Sequence, residues 1–292
     1  MGKLLRAITD DGLVKAFVFD STDVVTHAKK IHSLSNVATA ALGRTLTAAV
    51  MMGSDMKDKN DRVSIQIRSM GEIGNVVAES YKTGEVKGFV SNPEVSLPLR
   101  EDGHLDVGGA LGHGGTLSVV KDVGLSEPQV GTVEIVSGEI GDDISYYYMQ
   151  SEQIPTVVGV GVLVSKDGIV LGSGGYMVQL MPNHTEAEIE MLEKNIAKLP
   201  KSVSMFFAED KDPNALIEAL FENMPYKILE ETTGEYKCDC SYSRVSKALV
   251  SLGRVELEKM TEKGEDINMS CHYCKKNYCF TSEDINSILK SV

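Results

Sequence analysis

Apolar and polar positions change rhythm several times along the chain. Residues 4–9 and 13–20 alternate in strand fashion on either side of Asp10-Asp11-Gly12, a composition that predicts a hairpin. From residue 23 to about 56 the spacing becomes helical, with a break near Ser33-Leu34-Ser35. The second stretch, 36–52, carries Ala, Leu, Val and Met on several faces and predicts a deeply buried helix. Residues 62–68 alternate as a half-exposed strand, and shorter strands are expected around 76–79, 86–90 and 117–120. A helix is predicted over 142–153, and a second hairpin pairs 156–165 with 169–180 across Lys166-Asp167-Gly168. Strand runs with inserted helices predict an α+β fold, a large, mainly antiparallel core domain spanning 1–181.

The rhythm shifts again at 182–237, where acidic residues outnumber lysine. Thr185 with Glu188 forms a capping-box signature, and Ile189, Leu192, Ile196 and Leu199 make one apolar stripe behind it. A second start follows at Asp212-Pro213, with Leu216, Leu220 and Met224 on one face and Ile217 and Phe221 beside them. This segment reads as two amphipathic helices with acidic outer faces. They are either ordinary packed surface helices or a linker that can lift off. Residues 238–292 form a small module, with a helix over 243–252 stopped by Gly253, another over 255–260, a knuckle and strand over 271–280, and a last helix after Thr281 or Ser282.

Composition narrows the class. With 292 residues, 42% hydrophobic and 24% charged, the chain is an ordinary globular protein, neither disordered nor collagen-like. A formal charge of −13 disfavours general binding to nucleic-acid phosphates or to anionic membranes. The amino end lacks the apolar core of a secretory signal, and no long apolar run predicts a membrane span, so a cytoplasmic location is expected. All five cysteines lie at or beyond Cys238; in a reducing compartment so late a cluster points to metal or redox chemistry.

The strongest chemical signal is Cys238-Asp239-Cys240, thirty intervening residues, then Cys271-His272-Tyr273-Cys274. Two pairs, each close enough to grip one ion, match an all-thiolate zinc site. Such a site carries a formal −2 charge, which Lys237, Arg244, Lys275 and Lys276 are placed to offset in part. Cys279 sits in an expected strand, where it reads as a small apolar side chain outside the site, and His272 reads as an exposed knuckle position. A module of this size is near the lower limit for a self-supporting core, and structural zinc supplies roughly 10–16 kcal/mol of apparent folding free energy in finger peptides. Oxidation to disulfides between chain neighbours, Cys238 with Cys240 and Cys271 with Cys274, would close only tiny loops and would lose the long-range tether. Glycine-rich 108–115 matches no phosphate-binding pattern and reads as turns, and the histidines form no catalytic set.

The cysteine pattern resembles that of the heat-shock protein 33 family, redox-regulated bacterial chaperones. Ser137-Gly138-Glu139-Ile140-Gly141-Asp142-Asp143-Ile144-Ser145-Tyr146-Tyr147-Tyr148, followed by Gln150-Ser151-Glu152-Gln153-Ile154-Pro155, is similar to the family's central signature. Gly174-Gly175-Tyr176-Met177-Val178-Gln179-Leu180-Met181-Pro182 resembles the stretch that closes its core domain. The resemblance implies an ATP-independent holdase and no enzyme. One zinc would be held by Cys238, Cys240, Cys271 and Cys274 in the inactive reduced state. Oxidation would form the disulfides Cys238–Cys240 and Cys271–Cys274, release the metal, unfold the carboxyl module and loosen the linker. The implied partners are unfolded client proteins and a second copy in a homodimer. Two other readings remain: a zinc-ribbon nucleic-acid binder, for which 237–292 offers no evident basic patch, and a thiol–disulfide oxidoreductase using Cys271 and Cys274.

Overall fold

The computed structural model describes residues 1–200, 202–250, 253, 257 and 266–291. The chain divides into two compact units, Met1–Lys237 and Cys238–Val292.

In the first unit, strands β1 (Gly2–Thr9) and β2 (Val14–Asp20) form the expected hairpin. Its turn is fixed by Asp11, whose Oδ1 accepts from the Thr9 hydroxyl at 2.5 Å and the Leu13 N–H at 2.9 Å, with Gly12 at φ +75°. Helix α1 (Thr22–His32) stops where Ser33 turns left-handed, and α2 (Asn36–Ser54) begins one residue after the Ser35 cap, which accepts from Ala38 N–H at 3.1 Å. As its pattern predicts, α2 is buried around nearly its whole circumference.

The remaining strands of this unit are β3 (Arg62–Ser69), β4 (Asn75–Tyr81), β5 (Glu85–Val90), β6 (Gly115–Asp122), β7 (Gln129–Glu134), β8 (Thr156–Val164), β9 (Val170–Leu180) and β10 (Tyr226–Tyr236). They build a ten-stranded sheet in the order β7-β6-β3-β4-β5-β10-β1-β2-β9-β8. Every pairing is antiparallel except β5 with β10, which is parallel and matches only Glu85 with Glu235 and Val86 with Tyr236. The fold is therefore α+β with a mainly antiparallel sheet. Its main core lies between α2 and the sheet, from Val63, Ile65 and Val76 across to Phe17, Phe19 and Met177. Short α3 (Val107–Leu111) uses the glycine-rich stretch as turn and helix start, capped by Asp106. The predicted 142–153 helix is α4 (Ile140–Tyr147) running into a π-helical turn at Tyr148–Glu152, closed by Gln153 at φ +57°.

The acidic stretch is helical only in part. Helices α5 (Glu186–Lys198) and α7 (Pro213–Leu220) fall on the two predicted stripes, a third, unpredicted helix α6 (Val203–Ala208) stands between them, and the Thr185–Glu188 capping box is present. Their apolar faces close a second core on the opposite face of β1, β2 and β9. Leu192, Phe206, Phe207, Leu216, Leu220 and Phe221 pack there against Leu5, Ala16, Val18 and Val178. Residues 226–236, expected to continue the helical segment, are instead strand β10. A run of β-branched and charged residues with no 3.6-residue apolar repeat is better satisfied by the eight-residue pairing of Gly2–Thr9 with Tyr226–Gly234.

In the second unit, α8 (Tyr242–Val250), β11 (Ile267–Ser270), β12 (Asn277–Phe280) and α9 (Ser282–Ser291) surround a small core of Leu249, Leu257, Tyr278, Phe280 and Ile285. Gly253 stands at φ +86° as a stop requires. Apart from Leu257, the helix read over 255–260 lies outside the described residues.

Candidate metal centre and the chaperone family

Two arms bring four sulfurs together. Cys238 and Cys240 follow directly on β10. Cys271 and Cys274 sit in the turn joining β11 to β12, where Cys271 N–H donates to Lys276 O at 2.9 Å and Lys275 N–H to Cys271 O at 2.8 Å, with Lys275 left-handed at φ +58°. All four Sγ atoms lie within 4.8 Å of one another. The short approaches run between arms, Cys238 to Cys271 at 3.8 Å and Cys240 to Cys274 at 3.4 Å, and all four are free thiols. Sulfurs about 2.3 Å from a tetrahedral zinc ion stand about 3.8 Å apart. The donor set and its spacing therefore fit one thiolate-bound metal ion.

Burial raises the Cys238 and Cys274 thiols above the ordinary range. Burial also acts against the Cys240 thiolate, but hydrogen bonds from Tyr278, Cys274 and Cys238 outweigh it and lower its pKa. The Tyr278 hydroxyl donates to Cys240 Sγ at 3.1 Å, and that bond raises the phenol in turn. Sequence reasoning missed Tyr278, although the alternation of 277–280 contains the signal. Tyr278 and Phe280 face inward together, so Cys279 between them faces out. Cys279 is thus exposed, 3.8 Å from an Asp266 carboxylate oxygen, and is not the packed apolar residue expected. His272 is exposed and outside the sulfur cluster.

The expected charge offset is also partly redirected. Lys237 pairs with Glu85 and Glu235 in the first unit, and Arg244 with neighbouring Asp239. Lys276 lies 5.3 Å over the Tyr278 ring, the aromatic group that contacts Cys240.

The motif stretches in the first unit hold structural joints. The Asp143 carboxylate, 2% exposed, accepts the Val136 and Ser137 N–H groups at 2.9 Å each. Glu139 bridges Arg44 of α2 and Arg100. Glycines 172 and 174 let α6 rest on bare backbone: a Cβ on Gly172 would lie 2.4 Å from Ala208 N, and one on Gly174 2.2 Å from the Phe207 ring.

A family model described as Hsp33 protein matches residues 2–281. The chain belongs to the Hsp33 family. The 33 kDa chaperonin of Caldanaerobacter subterraneus is 46% identical over 287 residues, covering 98% of this chain and 97% of its own. That of Bacillus pumilus is 40% identical over 292 residues, covering 100% and 99%. The crystal structure of the Hsp33 homologue from Thermotoga maritima superposes with a TM-score of 0.89 at 37% identity, covering 99% of this chain and 98% of that one. Family membership makes this protein a chaperone rather than an enzyme, with client proteins as its partners. Among the described residues no helix is long and apolar enough to cross a membrane.

Proposed function

We propose that this Hsp33-family chain is a cytoplasmic, ATP-independent holdase switched by oxidation, with one zinc ion held by Cys238, Cys240, Cys271 and Cys274 in its reduced, inactive form. The observation carrying the reading is the mutual approach of the four sulfurs within 4.8 Å, contributed by two arms thirty residues apart in sequence. Held by these four thiolates, zinc would supply a cross-link between the two arms, worth roughly 10–16 kcal/mol of apparent folding free energy in finger peptides. The unit it ties has only five buried hydrophobic side chains in its core among its described residues.

Peroxide takes two electrons from each thiolate pair, forming Cys238–Cys240 and Cys271–Cys274 disulfides and leaving as water, so two equivalents empty the site. Each bridge closes a loop too small to constrain the chain, and 238–292 loses its order. Residues 182–237 then act as a linker. Released, α5–α7 uncover their own apolar stripes and the β1-β2-β9 face beneath them, a surface suited to unfolding clients and to a second copy in a homodimer. Light scattering of a heat-unfolding client tests this directly, with released zinc assayed in parallel. Peroxide-treated protein should suppress scattering and release one zinc per chain while reduced protein does neither. Equal protection by both forms would refute the switch.

A further inference from the structure

Helix α5 covers the sheet incompletely. Along its apolar stripe Leu192 is buried, whereas Ile189 and Ile196 are only half-buried, and between this stripe and the place where β8 begins and β9 ends lies a cavity of about 490 Å³. Val178 and Leu180 line it from the sheet. Met149 and Val157, also in its lining, stand 58% and 42% exposed. Ligand pockets commonly enclose roughly 300–1,000 Å³ behind mostly apolar walls.

The polar groups of the lining select among occupants. The Ser145 hydroxyl donates to Gly141 O at 2.9 Å and the Thr156 hydroxyl to Ile154 O at 3.0 Å, so neither proton is free for a guest. Among the described residues the lining contains two charged groups, Asp142 and Glu193, both acidic and neither ion-paired. Partial desolvation, then the nearby Glu139 and Asp143, raise the Asp142 carboxyl above its ordinary range, while Arg44, which pulls the other way, is held by Glu139. A carboxylate or phosphate head would meet repulsion there, and a hydroxyl head would gain little. An ammonium would meet two carboxylates beside the Tyr146 ring.

We propose that this cavity binds an amphipathic amine, its apolar body between α5 and the β8–β9 hairpin and its ammonium at Asp142 and Glu193. It is a site of the reduced protein, because docked α5 supplies one wall. Binding rests on the folded first unit alone, whereas its consequence rests on the proposed switch. A ligand that bridges α5 and the sheet holds that helix down, and by reciprocity an oxidation that releases α5 must weaken the ligand. The bound amine therefore acts as a brake on activation.

Calorimetric titration of the reduced full-length protein with decylamine, decanol and decanoate, each below its micelle concentration, compares three heads on one apolar chain. Decylamine should bind about tenfold more tightly than decanol, with decanoate weakest. Methyl NMR signals of Leu180, Ile189 and Ile196 should shift as it binds. Asp142→Asn combined with Glu193→Gln, both at exposed positions, should bring decylamine down to the level of decanol and leave decanol unchanged. If that variant does not fold, the three heads on the wild-type protein decide. Equal binding of the three, no binding, or methyl shifts confined to other residues overturns the site, and if peroxide still switches client protection on, the site fails alone. Binding that fades as protein concentration rises makes a second copy the occupant and overturns it too. Peroxide-treated protein should bind decylamine at least about tenfold more weakly, and reduced protein saturated with it should gain client protection more slowly on peroxide treatment. If decylamine binds both forms equally while protection still switches on, the brake is overturned and the site stands. If the reduced protein binds it as expected and peroxide brings no protection, the holdase reading fails and the site stands.

Discussion

Replacing Tyr236 by phenylalanine should destabilise the first unit by about 2–4 kcal/mol, because one hydroxyl there takes the place of a missing stretch of strand. The parallel β5–β10 pairing stops at Val86 and Tyr236, and Lys237 N–H donates to Val86 O at 2.8 Å. Beyond that point the Tyr236 hydroxyl reaches the next outward-facing residue of β5, donating to Gly88 O at 2.8 Å and accepting from Gly88 N–H at 3.3 Å. It also hydrogen-bonds His32 Nε2 at 3.0 Å, and since its single proton goes to Gly88, the imidazole is the donor in that bond. Phenylalanine keeps the ring against His27, 5.5 Å between centroids, and removes these three hydroxyl bonds. Three hydrogen bonds at about 0.5–1.5 kcal/mol each, with both backbone groups of buried Gly88 left unpaired, give the stated range. Calorimetry should show Tm lower by roughly 5–15 °C, and the Gly88 and Lys237 amides should exchange faster. A Tm within about 2 °C of wild type would refute the idea that the hydroxyl completes the sheet.

Further outcomes follow from other joints. Burial opposes the charge of Glu152, but Lys121 Nζ and the Tyr147 hydroxyl, both at 2.6 Å, hold its pKa below the ordinary 4.5. The stability this gives is present above pH 4.5 and is lost as pH falls through the folded-state value, so urea midpoints should fall in that acid window for wild type and less for Glu152→Gln. Asn195 ties α5 to the end of α7 by donating to Leu220 O at 3.0 Å and Glu222 O at 2.9 Å. Asn195→Ala should cost about 1–3 kcal/mol, speed exchange across α5 and give the reduced protein partial client protection in the scattering assay. Gly174→Ala drives a methyl into the Phe207 ring and should lower stability by about 1–3 kcal/mol on urea denaturation, with α6 displaced.

Much of this architecture was legible because local chemistry and burial agree. The Asp11 turn, the Ser33 break, the all-round apolar α2 and the Thr185–Glu188 box each follow from a few neighbouring residues. The four cysteines of the candidate site stood out by spacing alone. Strand β10 did not, because its pairing is set by β1, more than two hundred residues earlier, while its own side chains stay largely exposed. Strand β7 hid for the same reason, being mostly exposed at the sheet's edge. The lysines and arginine beside the cysteines misled in part because closer carboxylates, Glu85 and Asp239, claim two of them. Cys279 misled because strand direction, rather than residue type, decides which way a side chain points.

The two-residue parallel joint between β5 and β10 bears on how disorder spreads. The chain leaves the sheet there and reaches Cys238 two residues later, so any tug from a writhing carboxyl tail arrives at the strand's tip. Load applied at a tip peels bonds singly, like a zip, whereas load spread along the β1 ladder would have to shear many at once. On the proposed switch, losing an ion held by the four cysteines would therefore begin unfastening the first unit at this two-residue seam.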